Sequence, residues 1–285
     1  MGWARMLAPA RPAGKHNGAV SPPLRLLARL LGAVSLLPMA APARAQTADA
    51  GPAVTPYRPS VSTPATLSAP GYLEFEAGGL LSRSADAVGD TRRDSLPYTV
   101  KLAFSPDWGV RVGGEAWVRQ TGGGATALQG LGDTSVVLKR RFGIDAARAF
   151  GLELGATAPT GRTGLGAKTA ALSLNGIYSA DLGALHTDLN LVATRFARAD
   201  PGVARQQLLW AAALSGPLTP RLALTAEFSG TRQPGVGSTT QLLLATSWGV
   251  SRALVLDGGI ARSLRRGVPD ASLFFGLTVL GPRLF

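Results

Sequence analysis

The chain has no cysteine, so it holds no disulfide, no thiol nucleophile and no His/Cys metal site. This fits an exported protein that needs no disulfides. Charge is scarce: Asp, Glu, Lys and Arg make up 16% of the residues, against roughly a quarter in soluble domains. Long apolar runs are missing as well. Hydrophobic residues reach 46%, yet beyond residue 45 none of them form a stretch long enough for a membrane helix. The 36 glycines further disfavour long helices. Together these shortages exclude a helical membrane protein, and they leave a transmembrane β-barrel, whose hydrophobicity sits at alternate positions.

What charge there is begins lopsided. The formal net charge is +12, but residues 1–45 carry Arg5, Arg11, Lys15, Arg25, Arg29 and Arg44 and no acid. The remainder holds 23 basic against 17 acidic residues. No basic cluster with interleaved aromatics is present, so no nucleic-acid partner is expected. Residues 1–45 read as a signal peptide: a positive n-region, an apolar stretch over 30–41, and Ala43-Arg44-Ala45 as the cleavage site. Residues 46–70 are rich in Pro, Ala, Ser and Thr and have no period. They read as an extended, disordered periplasmic leader, the alternative being a tail that folds into the barrel mouth.

From Gly71 the pattern changes. The hairpin over 130–161 sets it: Thr134, Val136 and Leu138 alternate with Ser135, Val137 and Lys139, and Phe150, Leu152 and Leu154 alternate with Gly151 and Glu153. Repeats of this unit predict twelve strands, near 72–82, 96–105, 109–119, 131–142, 149–159, 169–180, 184–195, 206–216, 221–231, 239–249, 253–263 and 271–281. Tight connections alternate with longer ones over 83–95, 120–129, 160–168, 197–205, 233–238 and 264–270. The fold class is therefore all-β: a closed antiparallel transmembrane barrel over 71–285, since lipid leaves no strand edge unpaired. The chain ends on an alternating strand and Phe285, similar to the signal read by outer-membrane assembly machinery, although Pro282 and Arg283 depart from that pattern.

Gly130-Leu131-Gly132-Asp133, Lys139-Arg140-Arg141-Phe142 and Ala158-Pro159-Thr160-Gly161 resemble the outer-membrane barrel family labelled MetA-pathway of phenol degradation. The likeness spans about 71–285, with specific motifs only in the central hairpin. It implies a barrel that passes small molecules, aromatic ones among them, across the outer membrane.

No catalytic constellation stands out, and no cofactor is expected. His186 and Asp188 share a strand face, which brings an outer-membrane lipid hydrolase to mind, but no His-x-Ser motif accompanies them. The glycine runs at 122–124 and 161–166 lack the Lys-Ser/Thr helix start of a phosphate cradle. If the apolar phase faces lipid, the candidate lumen-lining residues are Lys101, Arg111, Glu115, Arg119, Lys139, Glu153, His186, Asp188, Glu227 and Asp257, with Arg141, Glu74, Glu76 and Asp133 in the same phase. Bases concentrate on the second to fourth strands, while strands across the ring bring acids alone. Two arrangements follow: opposed basic and acidic walls, or local pairs that fill the interior.

The reading is a narrow, passive outer-membrane channel or uptake porin for small solutes in a Gram-negative envelope. A non-conducting structural or assembly barrel is the alternative. Expected partners are the solute, the assembly machinery, and outer-membrane lipids including lipopolysaccharide. The last would meet a basic rim of Arg83, Arg92, Arg93, Arg162, Lys168, Arg195, Arg198, Arg205, Arg232, Arg262, Arg265 and Arg266.

Overall fold

The computed structural model describes residues 51–285 apart from 87–88, 123–124 and 265–270. The expected signal peptide, its cleavage point after Ala45, and Arg265 and Arg266 lie outside the described residues.

Alternation becomes strands throughout: β1 (Tyr72–Asp86), β2 (Gly89–Ala103), β3 (Trp108–Gly122), β4 (Ala125–Gly130), β5 (Thr134–Gly143), β6 (Arg148–Ala158), β7 (Ala171–Leu182), β8 (Leu185–Phe196), β9 (Gln206–Pro217), β10 (Leu222–Gln233), β11 (Gly237–Ser251), β12 (Leu254–Ser263) and β13 (Ala271–Arg283). Each strand pairs antiparallel with its neighbours, and β1 pairs with both β2 and β13, so the sheet closes on itself. β3 pairs with β4 along 118–122 and with β5 along 108–114. β4 and β5 are thus one stave broken at 131–133, and the barrel has twelve staves. This is the closed antiparallel barrel that the alternation predicts.

Polarity is inverted relative to a soluble fold. Glu153 is 3% exposed, while its neighbour Leu154 is 58% exposed. The same reversal runs round the ring: Lys101, Lys139, Glu227 and Asp257 are buried, and Leu172, Leu191, Leu244 and Phe275 are exposed. Only a lipid exterior makes such a surface stable. Exposed Phe104, Phe142, Phe150, Trp248 and Phe285 lie close to the tight-turn end of the barrel, as an interfacial aromatic girdle would.

Two sequence expectations change. Several of the longer loops are largely strand: β1 and β2 continue to Asp86 and Gly89, β3 and β4 occupy most of 120–129, and β10 and β11 leave only 234–236 between them. Backbone pairing continues past the lipid boundary, where side chains no longer need to be apolar. The second change concerns the leader. Residues 51–70 form no regular strand, but 55–65 are not a free tail: their backbone and side chains bond to the inward face of the wall. The segment returns to the wall where Gly71 N donates to Ala103 O over 2.8 Å. Proline and small side chains keep it extended, and its free N–H groups find acceptors in the polar lumen.

Candidate functional site

The inward positions of the wall are of three kinds. Many are small, among them Gly78, Ser95, Gly113, Ser135, Gly155, Ser173, Ala213, Ser229, Ala245 and Gly276. Some are large and apolar: Leu80, Leu243 and Phe274 pack together, while Leu209 and Ile177 meet Val61 and Ala65 of the leader. The rest are ionisable, hydroxyl- or amide-bearing, and the leader is hydrogen-bonded by these. Glu74 Oε2 accepts from Thr55 N over 2.9 Å, and Glu76 Oε1 accepts from Tyr57 N over 2.6 Å. Glu227 Oε2 accepts from both Ser62 N (2.8 Å) and Ser62 Oγ (3.0 Å). Asn190 reads both sides of one residue, accepting from Thr63 N at 3.0 Å and donating to Thr63 O at 2.9 Å. Ser179 Oγ accepts from Ala65 N over 2.7 Å. These contacts replace, one by one, the ladder bonds that an extended segment inside a barrel cannot make with a strand.

The cations of β2, β3 and β5 have local partners. Lys101 bridges Glu74 and Glu76 on the adjoining β1, at 2.6 Å from Glu76, and also donates to Thr55 O. Arg111 and Lys139 both meet Glu153, at 2.9 and 3.5 Å, and Asn175 donates to the same carboxylate over 3.0 Å. Arg93 pairs with Glu115 at 2.7 Å. The ammonium groups of Lys101 and Lys139 lie over the Tyr57 ring, 4.0 and 4.2 Å from its centroid. Its hydroxyl accepts from Lys139 and donates to Thr66 O at 2.8 Å. Cations over the ring suit its quadrupole. Local pairing therefore prevails over opposed walls, because a buried ion without a neighbour costs several kcal/mol.

Across the lumen, Asp257 faces Arg58 of the leader. Nε and Nη2 of Arg58 reach the two carboxylate oxygens over 3.1 and 3.0 Å, and Nη2 also donates to Phe275 O over 3.1 Å. Beside the leader, a cavity of about 110 Å³ remains, bordered by Tyr57, Tyr98, Thr99, Arg111, Ser135 and Asn175. Arg111 Nε and Asn175 Oδ1 there have no hydrogen-bond partner.

Of the sequence candidates, Lys101, Arg111, Glu115, Lys139, Glu153, His186, Asp188, Glu227 and Asp257 lie in the inward phase. Arg119 does not. The register skips Ala116, since Leu96 pairs with Trp117 and Pro97 with Glu115, and this bulge reverses the phase beyond it. Val118 turns inward, and Arg119 is exposed, opposite Asp94. His186 contacts Asp181 and Asp188 at 2.6 and 3.2 Å, while Ser179 donates to Asp188 rather than to the imidazole. Nucleophile activation needs hydroxyl, imidazole and carboxylate in that order, and these three residues are not so arranged.

Asp133 and the Pro159-Thr160-Gly161 turn, both in the segments that carry the family resemblance, meet in space. Asp133 accepts from Gly161 N and Ala167 N, both at 2.9 Å, and Thr160 Oγ1 accepts from Thr134 N at 2.9 Å. The motif pins the connection between β6 and β7 across the break in the fourth stave. Sequence reasoning missed Tyr57, Arg58, Asn175 and Asn190. The two asparagines carried a signal, since Asn is unusual within strands.

No family model and no curated protein matches the chain. Among solved structures it is similar to an outer membrane channel from Pseudomonas putida F1, with 15% identity and a TM-score of 0.59 over 75% of this chain and 97% of that one. It is also similar to the NanC porin (10%, TM-score 0.52, 73% and 98%) and the KdgM porin (9%, 0.50, 72% and 98%). At such identities the likeness concerns the fold, an outer-membrane-type barrel.

Proposed function

We propose that this chain is an outer-membrane channel that passes small solutes passively and rests closed by its own leader. One observation carries the reading: a separate segment, the leader, occupies the lumen and is held there by inward side chains of the wall. An eight-stave barrel fills itself with side chains, and a sixteen-stave one stands open. A twelve-stave wall with many small inward residues has room for an occupant, and the leader is that occupant. The porins and the channel it resembles fit this reading. The resemblance in the central hairpin adds aromatic compounds to the candidate solutes. Delivery by a signal peptide cleaved after Ala45, recognition of the Phe285 end by assembly machinery, and lipopolysaccharide phosphates on exposed Arg195, Arg198, Arg205, Arg232 and Arg262 belong to the same proposal.

The completeness of the leader's bonds favours a second reading, a non-conducting structural barrel. Planar-bilayer recording of the purified mature protein separates the two. A channel gives discrete conductance steps that a panel of small solutes, simple phenols included, blocks selectively. A silent bilayer containing barrels that still change gel mobility on boiling supports the structural reading.

A further inference from the structure

The residues 51–70 bring a single charged side chain into the lumen, Arg58. It meets a built cradle. Asp257 on β12, Gly276 on β13 and Gly78 on β1 are successive register partners, so one carboxylate and two bare backbones lie side by side. The guanidinium rests over the glycines: a Cβ on Gly78 would stand 2.8 Å from Nη2, and one on Gly276 2.6 Å from Nε and Nη2. The Phe275 carbonyl supplies a third acceptor for Nη2. Fork geometry, a flat floor and an added carbonyl together are how a guanidinium is recognised. Folding alone has little use for such a pair, since buried ion pairs contribute little net stability. The barrel is closed by its own ladder without it.

The geometry points to a solute subsite: Asp257 with the Gly78–Gly276 floor binds the guanidinium or primary amine of a small organic cation, and Arg58 occupies that subsite at rest as an internal competitor. The inference rests on the channel reading. A cation that displaces Arg58 frees the part of the leader that crosses the lumen. The site therefore couples recognition of solute to opening.

The absence of native cysteine makes the test clean. Ser62 is 1% exposed, so in a Ser62→Cys protein the thiol reacts slowly with a water-soluble maleimide while the leader is seated. N-acetyl-L-arginine amide should accelerate labelling up to about tenfold, and its uncharged isostere N-acetyl-L-citrulline amide should leave it unchanged. Adding Arg58→Ala to Ser62→Cys should give fast labelling without ligand. By calorimetry, the Arg58→Ala protein should bind N-acetyl-L-arginine amide about tenfold tighter than the parent, the factor lost to a competitor seated nine-tenths of the time. Asp257→Asn, of unchanged shape, should abolish both responses. Equal effects of the two amides on labelling, with Arg58→Ala showing fast labelling as the assay's control, would overturn the subsite. So would unchanged affinity in Arg58→Ala. The channel reading fails separately: a barrel that shows arginine-dependent labelling but no conductance keeps the subsite and loses the channel. A conducting barrel indifferent to arginine amide does the reverse.

Discussion

The wall and the leader solve one problem in different ways. In the wall, each strand satisfies its N–H and C=O groups on the next strand, and side chains are left free to face lipid or lumen. The leader has no strand to pair with, so it borrows side chains: Glu74, Glu76, Glu227, Asn190 and Ser179 take its N–H groups. The difference explains why so many acids face a lumen with few free bases. They serve as acceptors for a backbone, a role that a count of charges does not reveal. It also implies that the wall stands without the leader, while the leader has no structure without the wall.

Removing the leader tests this most severely. Deletion of 52–68 should leave a barrel that still shifts mobility on boiling, with conductance raised severalfold. Selectivity should move toward cations, because Glu227 and Asp257 lose their occupants. A folded deletion protein with unchanged conductance would mean that the leader does not close the path. Next in size is the wall's own charge cluster. Glu153→Ala strands Arg111 and Lys139 in the interior, and loss of one member of a buried ion pair costs about 3–5 kcal/mol. The temperature at which the folded gel band disappears should fall clearly, and by less for Glu153→Gln.

A more local effect is expected at Asp133. It makes two bonds to backbone N–H groups of the 159–170 connection, each worth about 1.5–3 kcal/mol when the acceptor is charged. In Asp133→Ala, trypsin should cut at Arg162 or Lys168 much faster, with the barrel's heat resistance little changed. Equal cleavage rates would show that the clamp does not hold the connection. The smallest effect separates two arginines of β3. Reversal potential in a salt gradient should shift toward cation selectivity in Arg111→Ala and stay put in Arg119→Ala. A matching shift in both would contradict the bulge at Ala116.

The sequence made the lipid-facing half of the fold readable, because alternation is enforced wherever one face meets hydrocarbon. Strand starts and ends agree closely over β6 to β13 for that reason. Outside the lipid the same backbone pairing carries no apolar signature, so the extensions of β1, β2 and β3 read as loops. The bulge was hidden because Ala116, Trp117 and Val118 are all apolar, and one extra residue among them leaves no mark on the pattern. Glu153, Glu227 and Asp257 could be placed inside by phase. What they hold could not, because an N–H group is common to every residue except proline. Only Arg58, the one base in a leader whose other charge is Asp49, offered a hint.

The leader's position also constrains how the molecule is put together. Thr55 and Tyr57 bond to Glu74 and Glu76, only 19 residues further along, while Arg58, Ser62 and Thr63 reach partners 199, 165 and 127 residues away. Contacts so close in sequence close cheap loops and form early. The first stave can thus emerge with the leader already folded back upon it. The remaining staves then curl around the pair until β13 meets β1 at the seam, where Leu284 N donates to Gly71 O over 2.7 Å. Built in that order, the barrel never has to be threaded: its stopper is the mandrel on which it is wound.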